Sequence, residues 1–222
     1  MEILEVIILG VIQGVTEFLP VSSSGHLVIA QYLLGINSPG NTLEILFHFG
    51  TLLSVVFVFF NEIKLILISL HERNTQILVG YLIIATIPAA FVGIGLKDYI
   101  LGIFDSLEYV SLALLFTGSV LILSSKFKHS QKKHSFFSSL VIGLAQALAI
   151  IPGISRSGLT ISMSIYLGIA PKEAAKFSFL LSIPIILGAS LLGIFELEHD
   201  GMIDSLTIFV AIFTSFIVGI LA

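Results

Sequence analysis

The sequence predicts an all-α integral membrane protein: a polytopic helical bundle built from inverted repeats, with two re-entrant hairpins of broken helix. Three observations carry that prediction. The 222 residues are 56% hydrophobic and 11% charged, with a mean hydropathy of +1.10. Soluble domains carry about 25% charged residues, so this chain has too little charge to solvate its own outside. Several apolar stretches reach the ~20 residues that cross a hydrocarbon layer. Finally, two polar islands, Gln13–His26 (QGVTEFLPVSSSGH) and Pro152–Thr160 (PGISRSGLT), break apolar helices at equivalent places.

Residues 1–19 read as a helix, apolar apart from Glu2, Glu5, Gln13, Thr16 and Glu17, and broken by Pro20 and the Ser22-Ser23-Ser24-Gly25 run. A short apolar piece, 26–35, follows, then a turn over 36–43. Residues 44–70 read as one long span, 71–76 as a polar loop and 77–96 as a second span with Pro88 tolerated inside it. A loop over 97–108 leads to a third span, 109–124. The basic stretch 126–134 (KFKHSQKKH) precedes an apolar helix, 135–151, that Pro152-Gly153 ends. A short piece, 158–169, a polar turn at 172–176, a span over 177–195 with Pro184, an acidic loop at 196–205 and a last span over 206–222 complete the chain.

The positive-inside rule places 126–134 in the cytoplasm. Counting back puts Arg73 inside and 36–43 outside, so residues 1–35 form a hairpin entering from the outer side and 135–170 one entering from the inner side. A shift of 133 superposes Gly10 on Gly143, Gln13 on Gln146, Ser22 on Ser155, Ser24 on Ser157 and Gly25 on Gly158. The three intervening spans are an odd number, which inverts the second copy. The chain therefore reads as one domain, 1–222, with internal repeats at about 1–70 and 134–205. Inverted repeats with broken helices place a polar site near the midplane.

The net charge of −4 is spread over short loops and gives no sign of a nucleic-acid partner. The absence of cysteine excludes disulfides and thiolate metal sites. The N-terminus carries Glu2 and Glu5 rather than a basic region, so it does not read as a cleaved signal peptide.

The two copies differ where chemistry needs them to differ. Ile150 stands opposite Glu17, Leu159 opposite His26 and Arg156 opposite Ser23. An ionisable group at bilayer depth is costly and marks a functional candidate; for Glu17 the alternative is a wetted interfacial residue. Gln13 shares a helix face with Glu17, as a site residue or as interhelical glue. Ser22, Ser23 and Ser24 either form a turn that satisfies broken-helix backbone or cradle an anion at a helix N-terminus. His26 suits general acid/base work, against the alternative of a packed, hydrogen-bonded ring. Arg156, flanked by Ser155 and Ser157, suits bidentate grip on a phosphate, against the alternative of a purely structural pair with Glu17. Glu44 and His48, four apart, either line the mouth of the site, hold a metal, or cap an interface. The expectation is that both tips meet inside the membrane and handle a phosphate group.

These residues resemble a family: the undecaprenyl-diphosphate phosphatases of the bacitracin-resistance type. Gln13 and Glu17 fit its (E/Q)xxxE motif, which FLPVSSSGHL continues. Pro152, Gly153, Ser155, Arg156, Ser157 and Thr160 fit its PGxSRSxxT motif, and FSFLLSIPIILGAS (177–190) is also similar. The resemblance implies hydrolysis of undecaprenyl diphosphate to the monophosphate, recycling the lipid carrier of cell-wall synthesis, with antibiotic resistance as a consequence. It implies a divalent cation, Mg²⁺ or Ca²⁺, a multi-pass protein of the inner (plasma) membrane, a site open to the periplasmic side, and a tendency to form homodimers. Members usually continue for one more span than this chain, which bears on stability and dimerisation more than on chemistry.

The resulting mechanistic expectation assigns Glu17, Ser23, His26 and Arg156 to catalysis. Gln13, Ser22, Ser24, Ser155, Ser157 and Thr160 bind substrate, and Glu17 with Gln13 positions the metal. Ser23 is the expected nucleophile with His26 as its base; direct attack by water is the alternative. The rival class is an inverted-repeat transporter of an anionic or lipid-phosphate substrate.

Overall fold

The computed structural model describes residues 2–36, 42–96, 106–127, 131–200 and 204–222. The turns expected over 36–43, 97–108, 126–134 and 196–205 lie partly outside these residues. The described residues form ten helices: α1 (Ile3–Phe18), α2 (Ser23–Leu34), α3 (Thr42–Val58), α4 (Phe60–Ile68), α5 (Arg73–Gly95), α6 (Leu107–Ser124), α7 (Phe136–Leu148), α8 (Arg156–Tyr166), α9 (Pro171–Asp200) and α10 (Ser205–Leu221). Three are long and apolar enough to cross a membrane, and the bent pair α3–α4 makes a fourth only if it is counted as one span. Large apolar side chains such as Leu33, Phe91 and Leu115 face outward. In water that surface would be unstable, so the protein is a polytopic helical membrane protein.

Three boundaries differ from the sequence expectation, each for a physical reason. The run 44–70 is not straight: α3 and α4 meet at 68°. No proline or glycine marks the break. Phe59 leaves helical geometry (φ −92°, ψ 18°) and its ring packs on Phe179, 5.7 Å between centroids, which in turn packs on Phe18 at 5.9 Å. Asn61, Glu62 and Lys64 then cluster in α4, none of whose residues is buried, as suits a helix lying at an interface. Second, Arg73 is the first residue of α5 rather than part of a loop. Third, 172–176 is not a turn. Pro171 opens α9, where a missing N–H costs nothing, and the helix continues to Asp200 through part of the expected acidic loop.

Two apolar clusters flank the middle of the bundle. One joins α1, α2, α3 and α10 around Val6, Leu9, Leu27, Phe47 and Ala211. The other joins α5, α7, α8 and α9 around Ala85, Ile142, Ile169, Phe177 and Leu181. Each hairpin is seated by a helix from the opposite half of the chain. A Cβ on Gly10 would lie 3.0 Å from Thr214 of α10, and one on its counterpart Gly143 would lie 2.8 Å from the α5 backbone at Ala85. Paired positions behave alike at the tips too. Ser22 Oγ accepts the Gly25 N–H at 3.3 Å and Ser155 Oγ accepts the Gly158 N–H at 3.0 Å, capping α2 and α8.

His134, just before α7, stacks on Phe177 with centroids 4.0 Å apart, and neither ring nitrogen has a hydrogen-bond partner. Burial holds its pKa below the usual 6.5, against an opposing pull from Glu173. The folded state therefore binds fewer protons than the unfolded one. Stability is full above the usual imidazole value and falls as pH drops below it toward the folded pKa. Thermal unfolding in detergent is expected to show a steeper loss below pH 6.5 for wild type than for His134→Phe, which keeps the stack without the titration. Equal slopes for the two proteins would refute this.

Candidate active site

Chain breaks at Pro20 and Pro152 deliver two helix N-termini to one place. After Leu19 the backbone turns through Ser22, the only non-glycine with positive φ among the described residues (70°). That strained conformation is of the kind found at functional sites. At the second break Gly153 takes φ 89°, where a Cβ would also strike the Val110 carbonyl of α6. Thr117 of α6 fixes this turn, donating to Gly153 O at 3.0 Å and accepting from Ser155 N at 3.1 Å. The tips touch: Gly153 N donates to Ser24 Oγ at 3.4 Å, and a Cβ on Gly25 would lie 3.0 Å from Gly153 Cα.

Between the tips lies a cavity of about 240 Å³. The first tip lines it with Glu17, Ser22, Ser23 and Ser24, the second with Ser155, Arg156 and Ser157. His48 and Ile45 of α3 form a third side. Gln146, Ala149 and Ile150 come from α7 and its C-terminal end, and Ile185, Ile186, Ala189 and Ser190 from α9.

Glu17 is the hub. Its Oε1 accepts from Arg156 Nη2 at 2.5 Å. Its Oε2 accepts from Ser23 Oγ at 2.6 Å and from Gln13 Nε2 at 3.1 Å. His48 Nδ1 lies 3.3 Å from the same oxygen and 2.9 Å from Gln13 Nε2. A flipped Gln13 would set its carbonyl against the carboxylate, so its nitrogen faces both groups. Its two N–H groups then reach Glu17 and His48, which leaves His48 Nδ1 an acceptor and puts the ring proton on Nε2. Arg156 lines the cavity, and its Nη1 is buried without a hydrogen-bond partner.

Glu17 and Arg156, 139 residues apart, thus come together with Ser22, Ser23, Ser24, Ser155 and Ser157 around one cavity. Three expected site residues lie off its lining. His26 is tied to the first tip, its Nδ1 2.7 Å from Ser22 O. Gln13 is fully buried behind Glu17. Thr160 is fully buried and spends its hydroxyl on Ser178 at 2.7 Å and on Arg156 O at 2.8 Å. Glu44 is buried but does not line the cavity, whereas His48 does.

Sequence reasoning missed the central place of His48, the pinning role of Thr117 and the α9 wall. The Glu44/His48 spacing pointed to His48 without locating it. Thr117, one hydroxyl in an apolar run, carried no signal at all.

Fold and site together define an integral membrane protein with a polar, anion-suited cavity between two broken helices. A family model described as "Bacitracin resistance protein BacA" matches residues 6–222. The undecaprenyl-diphosphatase of Halothermothrix orenii is 42% identical over 205 positions, covering 91% of this chain and 78% of the relative. That of Desulforapulum autotrophicum is 40% identical over 243 positions, covering 100% and 88%. Undecaprenyl-diphosphatase 3 of Bacillus anthracis is 40% identical over 226 positions, covering 97% and 83%. The chain belongs to the bacitracin resistance protein BacA family.

Proposed function

We infer that this chain is a membrane phosphatase that hydrolyses undecaprenyl diphosphate to undecaprenyl phosphate and inorganic phosphate. It thereby recycles the lipid carrier of cell-wall synthesis and confers bacitracin resistance. The observation that carries this reading is the Glu17–Arg156 contact inside a cavity edged by the hydroxyls of both tips. The diphosphate head enters that cavity while the prenyl tail stays in lipid. The N-termini of α2 and α8 offer positive dipole ends to it, and Arg156 holds its oxygens.

Ser23 Oγ, which already donates to Glu17 Oε2, is the nucleophile, and Glu17 takes its proton. The bond between the terminal phosphorus and the bridging oxygen breaks, the lipid monophosphate leaves, and water then cleaves the serine phosphate. His48 Nδ1, 2.9 Å from Gln13 Nε2, holds the Gln13 amide against Glu17.

Among the described residues no cluster of three His, Asp or Glu side chains is placed to hold a metal ion by itself. One carboxylate ringed by hydroxyls fits a hard cation that takes most of its ligands from phosphate and water. Glu17 would hold such a Mg²⁺ or Ca²⁺, with the Ser23 hydroxyl, 2.6 Å from Glu17 Oε2, as a neighbouring oxygen; the amide of Gln13 meets Glu17 through its nitrogen, so the carbonyl turns away. The ion would neutralise charge on the phosphates. In this reading the protein lies in the plasma membrane with the basic stretch 126–134 inside and the cavity open to the outer side, and it pairs with a second copy.

The test is phosphate release from undecaprenyl diphosphate by the purified chain in detergent. Release that stops with EDTA and returns with Mg²⁺ is expected. A transporter would bind the lipid and release no phosphate, and that result would overturn the reading.

A further inference from the structure

We propose that Ser190 of α9 is a substrate-contacting residue, its hydroxyl donating to the diphosphate head from the wall facing the two tips. The inference rests on the phosphatase reading above and extends it to a residue outside both tip motifs.

Ser190 is 1% exposed, yet its hydroxyl has no hydrogen-bond partner. A serine inside a helix ordinarily satisfies its hydroxyl on a carbonyl three or four residues back. Ser119, Ser164, Ser182 and Ser215 all do so here, at 2.6–2.8 Å. Ser190 does not, although Ile186 and Leu187 offer such carbonyls. Its position explains the exception. Ile186, Ala189 and Ser190 are spaced to share one helix face, and all three line the cavity. Ser162 also has an unpartnered hydroxyl but does not line the cavity, so it carries no such assignment.

The α9 contribution to the lining is Ile185, Ile186, Ala189 and Ser190. It is apolar except for this one hydroxyl. An apolar wall suits the first units of a prenyl chain, and a single donor on it marks where the charged head passes. Arg156 Nη1 is the other unpartnered buried donor of the cavity. Two cavity-lining residues that each hold a buried donor without a partner are complementary to one polyanion, whose oxygens would satisfy both.

Removing an unpartnered buried hydroxyl leaves folding intact or improves it, so Ser190→Ala isolates the functional contact. Phosphate release from undecaprenyl diphosphate by Ser190→Ala is expected to fall roughly 10- to 100-fold in kcat/KM, the range for a lost hydrogen bond to a charged group, while Tm in the absence of substrate stays equal or rises. Ser190→Thr, which keeps the hydroxyl, is expected to retain far more activity than the equally bulky Ser190→Val. Ser190→Ala with unaltered kcat/KM beside an active wild type overturns this proposal alone. So does a loss of activity matched by a loss of Tm, or Thr and Val variants that fall together. A wild type that releases no phosphate overturns the parent reading, and this one with it.

Discussion

Replacing Arg156 with lysine lowers kcat/KM for phosphate release by roughly 100-fold, as removal of a preorganised donor does elsewhere. Lysine keeps the charge but loses the planar fork. Here one arm of the guanidinium, Nη2, reaches Glu17 at 2.5 Å while the other, Nη1, is buried and unpartnered. A lysine ammonium in the same place can hold the carboxylate or the phosphate, but it does not span both with fixed geometry. Since the pair with Glu17 survives as a point-charge contact, Tm is expected to change little. An Arg156→Lys protein as active as wild type would remove the bidentate grip from the mechanism.

Replacing Glu17 with glutamine has the largest expected effect. The carboxylate accepts from Ser23, Gln13 and Arg156 at once. The amide can neither take the Ser23 proton nor anchor a cation, and loss of a general base costs on the order of 10²–10⁴-fold. It also leaves Arg156, whose side chain is 16% exposed, without its counterion. Stripping one partner from a buried pair costs about 3–5 kcal/mol. The Glu17→Gln protein is therefore expected to be both inactive and less stable, read by phosphate release and by thermal unfolding in detergent.

Much of this site was legible in the chain because the solvent is lipid. In a soluble protein, three serines, a glutamate and an arginine are surface noise. Here each stands out against apolar surroundings, since an unsatisfied polar group at bilayer depth is expensive. The shift of 133 residues also found positions with matching local roles, such as the caps at Ser22 and Ser155. What periodicity could not reveal was tertiary. The bend at Phe59 is fixed by a ring from α9, 120 residues away in the chain. His26 lay closer to the motif than His48, yet α3 packs so that His48 meets Glu17 while the α2 tip turns His26 onto its own backbone. The polar stretch KEAAK reads as a turn by composition, although Pro171 before it is a helix-start signal.

The most direct test of whether Glu17 and Arg156 act on a shared phosphate, rather than merely bracing each other, is the double variant Glu17→Gln/Arg156→Gln. It removes both buried charges together, so no ion is left uncompensated. If the pair does chemistry, stability returns toward wild type while phosphate release stays as low as in the worse single variant, because groups acting as a unit are not additive. Recovery of phosphate release along with stability would make the pair a structural brace and contradict the account.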